Sequence, residues 1–276
     1  MGSAIRISPP ISLLALLGLN YRASSIFENM QSVVKSSTSC TGASMTAVAG
    51  TAKTLAESAY LRIRDAIRGG ALPPGTRLRF AELQDLCGMS VTPVREALTR
   101  LTAEGFTTVE ENRGYRVAPL SIEELWDIAR SRQLIEGEAL RLSIAKGGAD
   151  WEGALVSAHH LMKRIARTTH QAPTVVDEDW NHRHTVFHRS LILACGSPIL
   201  LSISESLYDR ADRYRRLSWA IPDNPRAIEE EHELIFKSAL ARDAEAAVTY
   251  LRVHYERTAQ QVEAFLLNKA QPDVSI

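Results

Sequence analysis

The chain has 276 residues, room for two domains of ordinary size, and its 45% apolar content suits a globular protein with a real core. Lys and Arg balance Asp and Glu at 32 each, so no global field recruits nucleic acid, and any such attraction must be local. Cys40, Cys87 and Cys195 are widely spaced. That excludes a disulfide framework and a cysteine metal knuckle, and points to reduced thiols and a cytoplasmic location.

Taken from the start, Ile11 to Leu19 is an apolar run after Arg6 and Pro9-Pro10. It is too short to span a membrane, though its length would suit the apolar region of a signal peptide. Ser36 to Thr51 is rich in Ser, Thr, Ala and Gly, and Met30 and Met45 offer later starts. Residues 1–50 are therefore expected to be an over-extended reading frame or an arm without a fold of its own.

Residues 51–120 carry the most informative pattern. A leading helix places Tyr60, Ile63 and Ile67 on one face and ends at Gly69-Gly70, before the turn Pro73-Pro74-Gly75. Leu83, Leu86 and Cys87 give a second, short helix its apolar face, and Gly88 breaks it. Val94, Ala97, Leu98 and Leu101 form the stripe of a third helix, with Pro93 in its first turn and Ser90 or Thr92 as its N-cap. Gly105 stops that helix. Phe106 to Glu110 and Tyr115 to Val117 read as strands around the turn Glu111-Asn112-Arg113-Gly114. Helix, turn, helix and two-stranded wing make a winged helix-turn-helix, whose second helix enters the major groove of duplex DNA. On that reading Ser90, Val91, Thr92 and Arg95 at the exposed helix end, with Arg113, Gly114 and Arg116 from the wing, meet the DNA. Lys53 to Leu120 holds ten Lys/Arg against eight Asp/Glu, so the placement of these cations matters more than their number.

The run LPPGTRL…AELQDLCGMSVTPVREALTRLTAEGF…NRGYRVAPL resembles the GntR family of bacterial transcription regulators through helices, turns and wing together. The resemblance implies a DNA-binding regulator that meets a palindromic operator as a homodimer. Many members carry Arg where this chain has Val91.

Pro119-Leu120-Ser121-Ile122-Glu123-Glu124 joins the two halves, and Ser121 with Glu124 reads as a capping box, so a helix begins with no flexible linker. Residues 121–270 then read as an antiparallel all-α bundle with helices over 122–147, 151–170, 174–195, 197–218, 225–241 and 244–268. Asn224 and Pro225 read as N-cap and first residue of the fifth, and Asp243 as cap of the sixth. No strand pattern follows the wing. The fold class expected is thus mainly α, a winged helix-turn-helix followed by a helical bundle.

All eight histidines fall in this second half. His184 and His188 are four apart on one helix face, a spacing that lets two imidazoles share a metal. His232 and His254 flank the Arg242-Asp243 turn at similar distances, so in an antiparallel pair both sit about 16 Å from it, at about 1.5 Å per residue. The two pairs can converge in the bundle core. His159, His160, His170 and His182 are expected to be surface or hydrogen-bonded residues.

HTVFHRSLILACGSP, EEEHELIFKSALARDAEAAVTYLRVH and SRQLIEGEALRL resemble the FCD ligand-binding domain of the FadR-type branch of GntR regulators. The pattern DWNHRHTVFH…ACGSP…RYRRL is most similar to the carbon-starvation-induced regulator type. The resemblance places metal ligands on His184, His188, His232 and His254, the first replacing the usual Asp. Four neutral imidazoles suit zinc or nickel. The resemblance also implies a small carboxylate effector, for which Arg132 and Arg213 are the candidate clamps, and a repressor of carboxylic-acid metabolism genes that the acid releases. A metal-ion sensor is the alternative. A metal-dependent bundle enzyme is remote, because Glu229…His232 is the one Glu-x-x-His where a di-iron site needs two.

An Arg at position 91 would read guanine with two hydrogen bonds, whereas Val offers an apolar contact to a thymine methyl. A base-substitution scan of the operator is expected to show a thymine preference or none under Val91. A guanine requirement there would refute it.

Overall fold

The computed structural model describes residues 54–111, 113–169, 172–219 and 227–270. The expected N-terminal arm, Asn112 of the wing turn and the Asn224-Pro225 cap lie outside them. Among the described residues no helix is long and apolar enough to cross a membrane. Residues from Thr51 onward form one compact unit, with a winged helix-turn-helix head and a helical bundle.

The head opens with α1 (Leu55–Arg68), capped by the Thr54 hydroxyl, which accepts from Glu57 N at 3.1 Å. β1 (Arg77–Leu78) and α2 (Phe80–Cys87) follow. Gly88 then adopts φ +64°, a left-handed conformation that costs glycine little and that reverses the chain into α3 (Val91–Ala103). The sequence left two N-caps open, and the structure places Ser90 at the cap, in extended conformation, with Thr92 inside the helix. β2 (Thr107–Glu110) and β3 (Gly114–Val117) form the wing, and β1 adds a third strand on the far side of β3, in the order β1-β3-β2. The two-residue β1 was too short to register as an alternating pattern.

The head's core is Ile63, Leu83, Val94, Leu98, Leu101 and Phe106 with their neighbours, all buried. Leu86 does not join it. It is 42% exposed, because a helix this short buries a narrower face than the three positions assigned to it.

The bundle comprises α4 (Ile122–Lys146), α5 (Ala149–Lys163), α6 (Glu178–Ile192), α7 (Pro198–Trp219), α8 (Ile228–Leu240) and α9 (Ala244–Ala270). One correction concerns the segment between α5 and α6. α5 stops at Lys163 and α6 starts at Glu178. Between them β4 (Thr168–Thr169) and β5 (Ala172–Val176) pair antiparallel, where helix was expected at both ends. The β-branched residues of this stretch, Thr168, Thr169, Thr174, Val175 and Val176, favour the extended form. Asp177 then caps α6, accepting from Asp179 N and Trp180 N at 2.8 and 3.1 Å.

α4 runs through the middle of the bundle against α9 and α7. Gly137 permits the close approach of α9, since a Cβ there would stand 3.3 Å from Val248 Cγ1. α8 and α9 join through a turn of almost no length. Arg242 takes φ +60° there, held by bonds from its guanidinium to Ile144 O and Gly147 O, and Asp243 caps α9 by accepting from Ala246 N at 3.0 Å.

At the junction Ser121 Oγ accepts from Glu124 N at 3.0 Å, one arm of the expected box. The other arm is replaced by a tertiary lock. Tyr214 of α7 accepts from Ser121 N and donates to Glu124, which also takes 2.6 Å from Arg210.

Leu98 is fully buried at the centre of the head. Leu98→Ala is expected to destabilise the protein by about 3 kcal/mol, through lost burial plus the cavity left behind. Urea unfolding of the purified variant measures this directly.

Candidate metal centre and nucleic-acid interface

At the nucleic-acid end, Ser90, Val91, Thr92 and Arg95 all lie exposed at the start of α3, and Arg113 and Gly114 lie exposed in the wing turn. The Arg95 guanidinium rests over the Phe80 ring at 4.9 Å, and Phe80 meets Tyr115 edge-on, so strand and helix together set its direction. Arg116 is placed differently. It makes a two-pronged pair with Glu110 (2.7 and 3.2 Å) and donates to Gly75 O, so it braces the wing. Cross-strand neighbours Thr108 and Arg77 flank it.

In the bundle, α6 presents His184 and His188 on its inner face, α8 presents His232 and α9 presents His254. All four are buried, and one ligand atom from each lies within 4.8 Å of the others. His188 Nε2 is 3.1 Å from His184 Nε2 and 3.3 Å from His232 Nε2. Two donors sharing one zinc-like ion at about 2.1 Å each stand at most about 4.2 Å apart, so these separations fit a shared ion. Burial, then the neighbouring histidines and arginines, hold His184 and His188 well below the ordinary imidazole range, which keeps both rings neutral as ligands require. His254 Nδ1 donates to Glu231 Oε2 at 2.8 Å, a carboxylate backing of the kind that orients a metal-binding imidazole.

His184, His188 and His254 form one wall of a pocket with an empty volume of about 470 Å³, its open mouth included. Leu125, Ile128, Ala129 and Ala211 form an apolar wall, and Tyr214 and Thr258 complete the lining. Arg132 lines the pocket, makes a two-pronged pair with Glu136 (2.7 and 3.2 Å) and lies over the Tyr255 ring at 4.0 Å. Burial works against its charge, and Glu136 more than offsets this.

Arg213 does not face this pocket. Its guanidinium reaches the head, donating to Ala118 O and, at 3.5 Å, to Gly105 O. The second arginine of the pocket is Arg215. Its Nη1 is 2.9 Å from His184 Nδ1, and its Nη2 donates to Asn181, Tyr208 and Asp212. The sequence held a signal for it. Tyr208, Asp212 and Arg215 recur at i, i+4, i+7 on one face of α7, while Arg213 lies off that face. Glu231, Glu136 and Tyr255, which orient the rings, were likewise not singled out.

Asp212 links this pocket to the head. It is completely buried, and Arg68 of α1 donates to its Oδ2 at 2.9 and 3.1 Å while Arg215 holds Oδ1. Arg64 and Arg68 of the head also meet Asp209, at 3.1 Å each.

With this geometry in place, residues 55–117 match the family model of bacterial regulatory proteins, gntR family, and residues 127–257 match the FCD domain. The HTH-type transcriptional regulator BphR of Paraburkholderia xenovorans (strain LB400) is 36% identical over 77% of the chain and 87% of its own length. This chain belongs to the GntR family. The HTH-type transcriptional repressor GlaR of Escherichia coli (strain K12) is 35% identical over 71% of the chain and 90% of its own length. Among solved structures, E. coli McbR/YncC shares the fold, with a TM-score of 0.61 at 24% identity, over 80% of this chain and all of that one. As a GntR regulator with an FCD domain, the protein binds DNA, controls transcription and responds to a small-molecule effector.

Burial opposes the Asp212 charge, but Arg215, Arg68 and Arg216 outweigh it and draw its carboxyl down from 3.8 to about 2. A depressed folded value contributes stability above the unfolded value, and that contribution is lost as pH falls from about 4 toward 2. Asp212→Asn is therefore expected to be less stable than the native protein at pH 6. The gap should narrow by about 2 kcal/mol on acidification, read by urea unfolding across that range.

Proposed function

We propose that this regulator is a repressor of carboxylic-acid metabolism genes, released when a small organic acid binds beside a divalent ion in the bundle. The observation that carries the reading is a cluster of four buried imidazoles, three of which, His184, His188 and His254, line one pocket together with Arg132 and Arg215. The repressor named GlaR, at 35% identity, supports the sign. The resemblance of DWNHRHTVFH…ACGSP…RYRRL to the carbon-starvation-induced type supports the effector class.

The histidine cluster would hold zinc or nickel, which supplies a Lewis-acid anchor for a carboxylate oxygen. Arg132 and Arg215 give the anion its charge complement, and the apolar wall receives its carbon chain. On the head, Ser90, Thr92 and Arg95 would face base edges and nearby phosphates, with Val91 limited to apolar contact. Arg113 and Gly114 would reach the backbone or the minor groove from the wing. Two copies of the chain would present two such heads to the half-sites of a palindromic operator.

The route from pocket to head runs through Arg215, Asp212 and Arg68. An anion that draws Arg215 toward itself weakens its hold on Asp212, and Arg68 of α1 depends on the same carboxylate. The pocket's occupancy thereby biases how the head is held, and a small respacing of two heads lowers affinity for a rigid pair of half-sites.

Gel shifts with genomic fragments selected for binding test this reading. Five-carbon dicarboxylates and shorter acids are expected to release the DNA in the presence of zinc or nickel, and a chelator is expected to abolish that release. DNA affinity that follows the ion alone, with no response to any acid, would instead make the protein a metal-ion sensor.

A further inference from the structure

His184 stands in the histidine cluster with its proton on the nitrogen that faces the site. Its Nδ1 lies 2.9 Å from Arg215 Nη1. A guanidinium has five N–H donors and no acceptor, so His184 Nδ1 must accept this bond with its lone pair. The hydrogen of the neutral ring is then on Nε2, which points into the cluster and donates across 3.1 Å to His188 Nε2.

The neighbours are backed by the opposite chemistry. His254 Nδ1 meets the Glu231 carboxylate, which can only accept, so that ring carries a hydrogen on Nδ1, the tautomer whose Nε2 lone pair serves a metal. His188 Nδ1 is 3.4 Å from Tyr255 Oη, whose own hydrogen goes to Glu136. Oη therefore accepts from His188, and His188 Nε2 is bare as well. Acceptors behind the ring fix the tautomer that binds a metal. Behind His184 there is a donor, and Asn181, Tyr208 and Asp212 hold that donor in place.

We infer that His188, His232 and His254 hold the ion, and that His184 is a hydrogen-bond donor to whatever fills the coordination position left open. The inference rests on the metal-assisted reading above. Once His188 Nε2 serves the ion it no longer accepts from His184, and the His184 Nε2–H needs an acceptor beside the ion. An anionic oxygen, that of a carboxylate, meets this need, whereas an ammonium group does not. Where the family pattern has an Asp that ligates, this chain has exchanged a ligand for a reader of the ligand's charge. Arg215 makes the exchange, since it decides which ring nitrogen is bare.

Cobalt(II) titration of the full chain, followed by calorimetry and visible absorption, tests this against His188→Gln, His254→Gln, His184→Ala and His184→Gln. The two His184 variants are expected to bind cobalt within about threefold of the native protein, while His188→Gln and His254→Gln lose about 100-fold or more. Acetate added to the cobalt form is expected to bind about tenfold more weakly to His184→Ala, from the loss of one charge-assisted bond. His184→Gln, which keeps an N–H, should recover most of that loss. Long-range 15N–1H spectra of the metal-free native protein report the tautomers without any substitution, with His184 expected as Nε2–H and His188 and His254 as Nδ1–H. The inference is overturned if His184→Gln loses cobalt as severely as His188→Gln, or if His184 is the Nδ1–H tautomer. A native protein that takes up no divalent ion, or a His188→Gln variant that binds cobalt normally, defeats the metal-assisted reading itself and this inference with it.

Discussion

Asp212 is fully buried, and its two oxygens are shared between the head and the bundle. A carboxylate in that position is tolerable only while cations surround it. Removing a partner from such a buried pair costs about 3–5 kcal/mol, because the charge left behind has no water. The fold therefore commits Arg68 of α1 and Arg215 of α7 to one small anion. The rest of the junction is consistent with that commitment: Arg213 holds backbone oxygens of the head, and Tyr214 locks the start of α4. A short path of charge thus connects the helix that braces the DNA-reading elements with the wall of the ligand pocket.

The pocket works by the same logic on a finer scale. His184 and His188, gathered away from water, stay neutral, and a neutral imidazole has one bare nitrogen. Which nitrogen is bare depends on the group behind the ring. A carboxylate stands behind His254, a tyrosine hydroxyl behind His188 and a guanidinium behind His184. Chemically identical side chains at equivalent positions therefore differ in what they offer an ion or an anion. Because the guanidinium behind His184 also binds Asp212, the orientation of that ring and the buried ion pairs that reach the head draw on a single residue.

Much of the fold was legible in the chain. Val94, Leu98 and Leu101 mark the recognition helix by their spacing, and Gly88 marks the turn that needs a left-handed residue. The His232–His254 pairing across a tight turn followed from helix rise alone, and the rings stand 4.7 Å apart between centroids. Three features were less legible, for identifiable reasons. β1 has two residues, and two residues carry no periodicity. The β4–β5 hairpin occupies a stretch whose neighbours on both sides are helical, so the helix pattern was extended across it. Arg213 and Arg215 are two apart on α7, and choosing which one lines the pocket required knowing which face of that helix turns inward.

By itself the sequence determined the elements, the order of head and bundle, and the gathering of the histidines. Those depend on local spacing, on turn residues and on helix rise, all of which act between residues near in the chain. Tertiary structure alone decided what stands behind each ring and which guanidinium reaches the head. Hydrogen-bond direction and ion pairing are contacts between residues distant in the chain: Arg68 with Asp212, Arg215 with His184, Glu231 with His254. No periodicity records those meetings, because each is fixed by how helices rotate and cross once their apolar faces have packed.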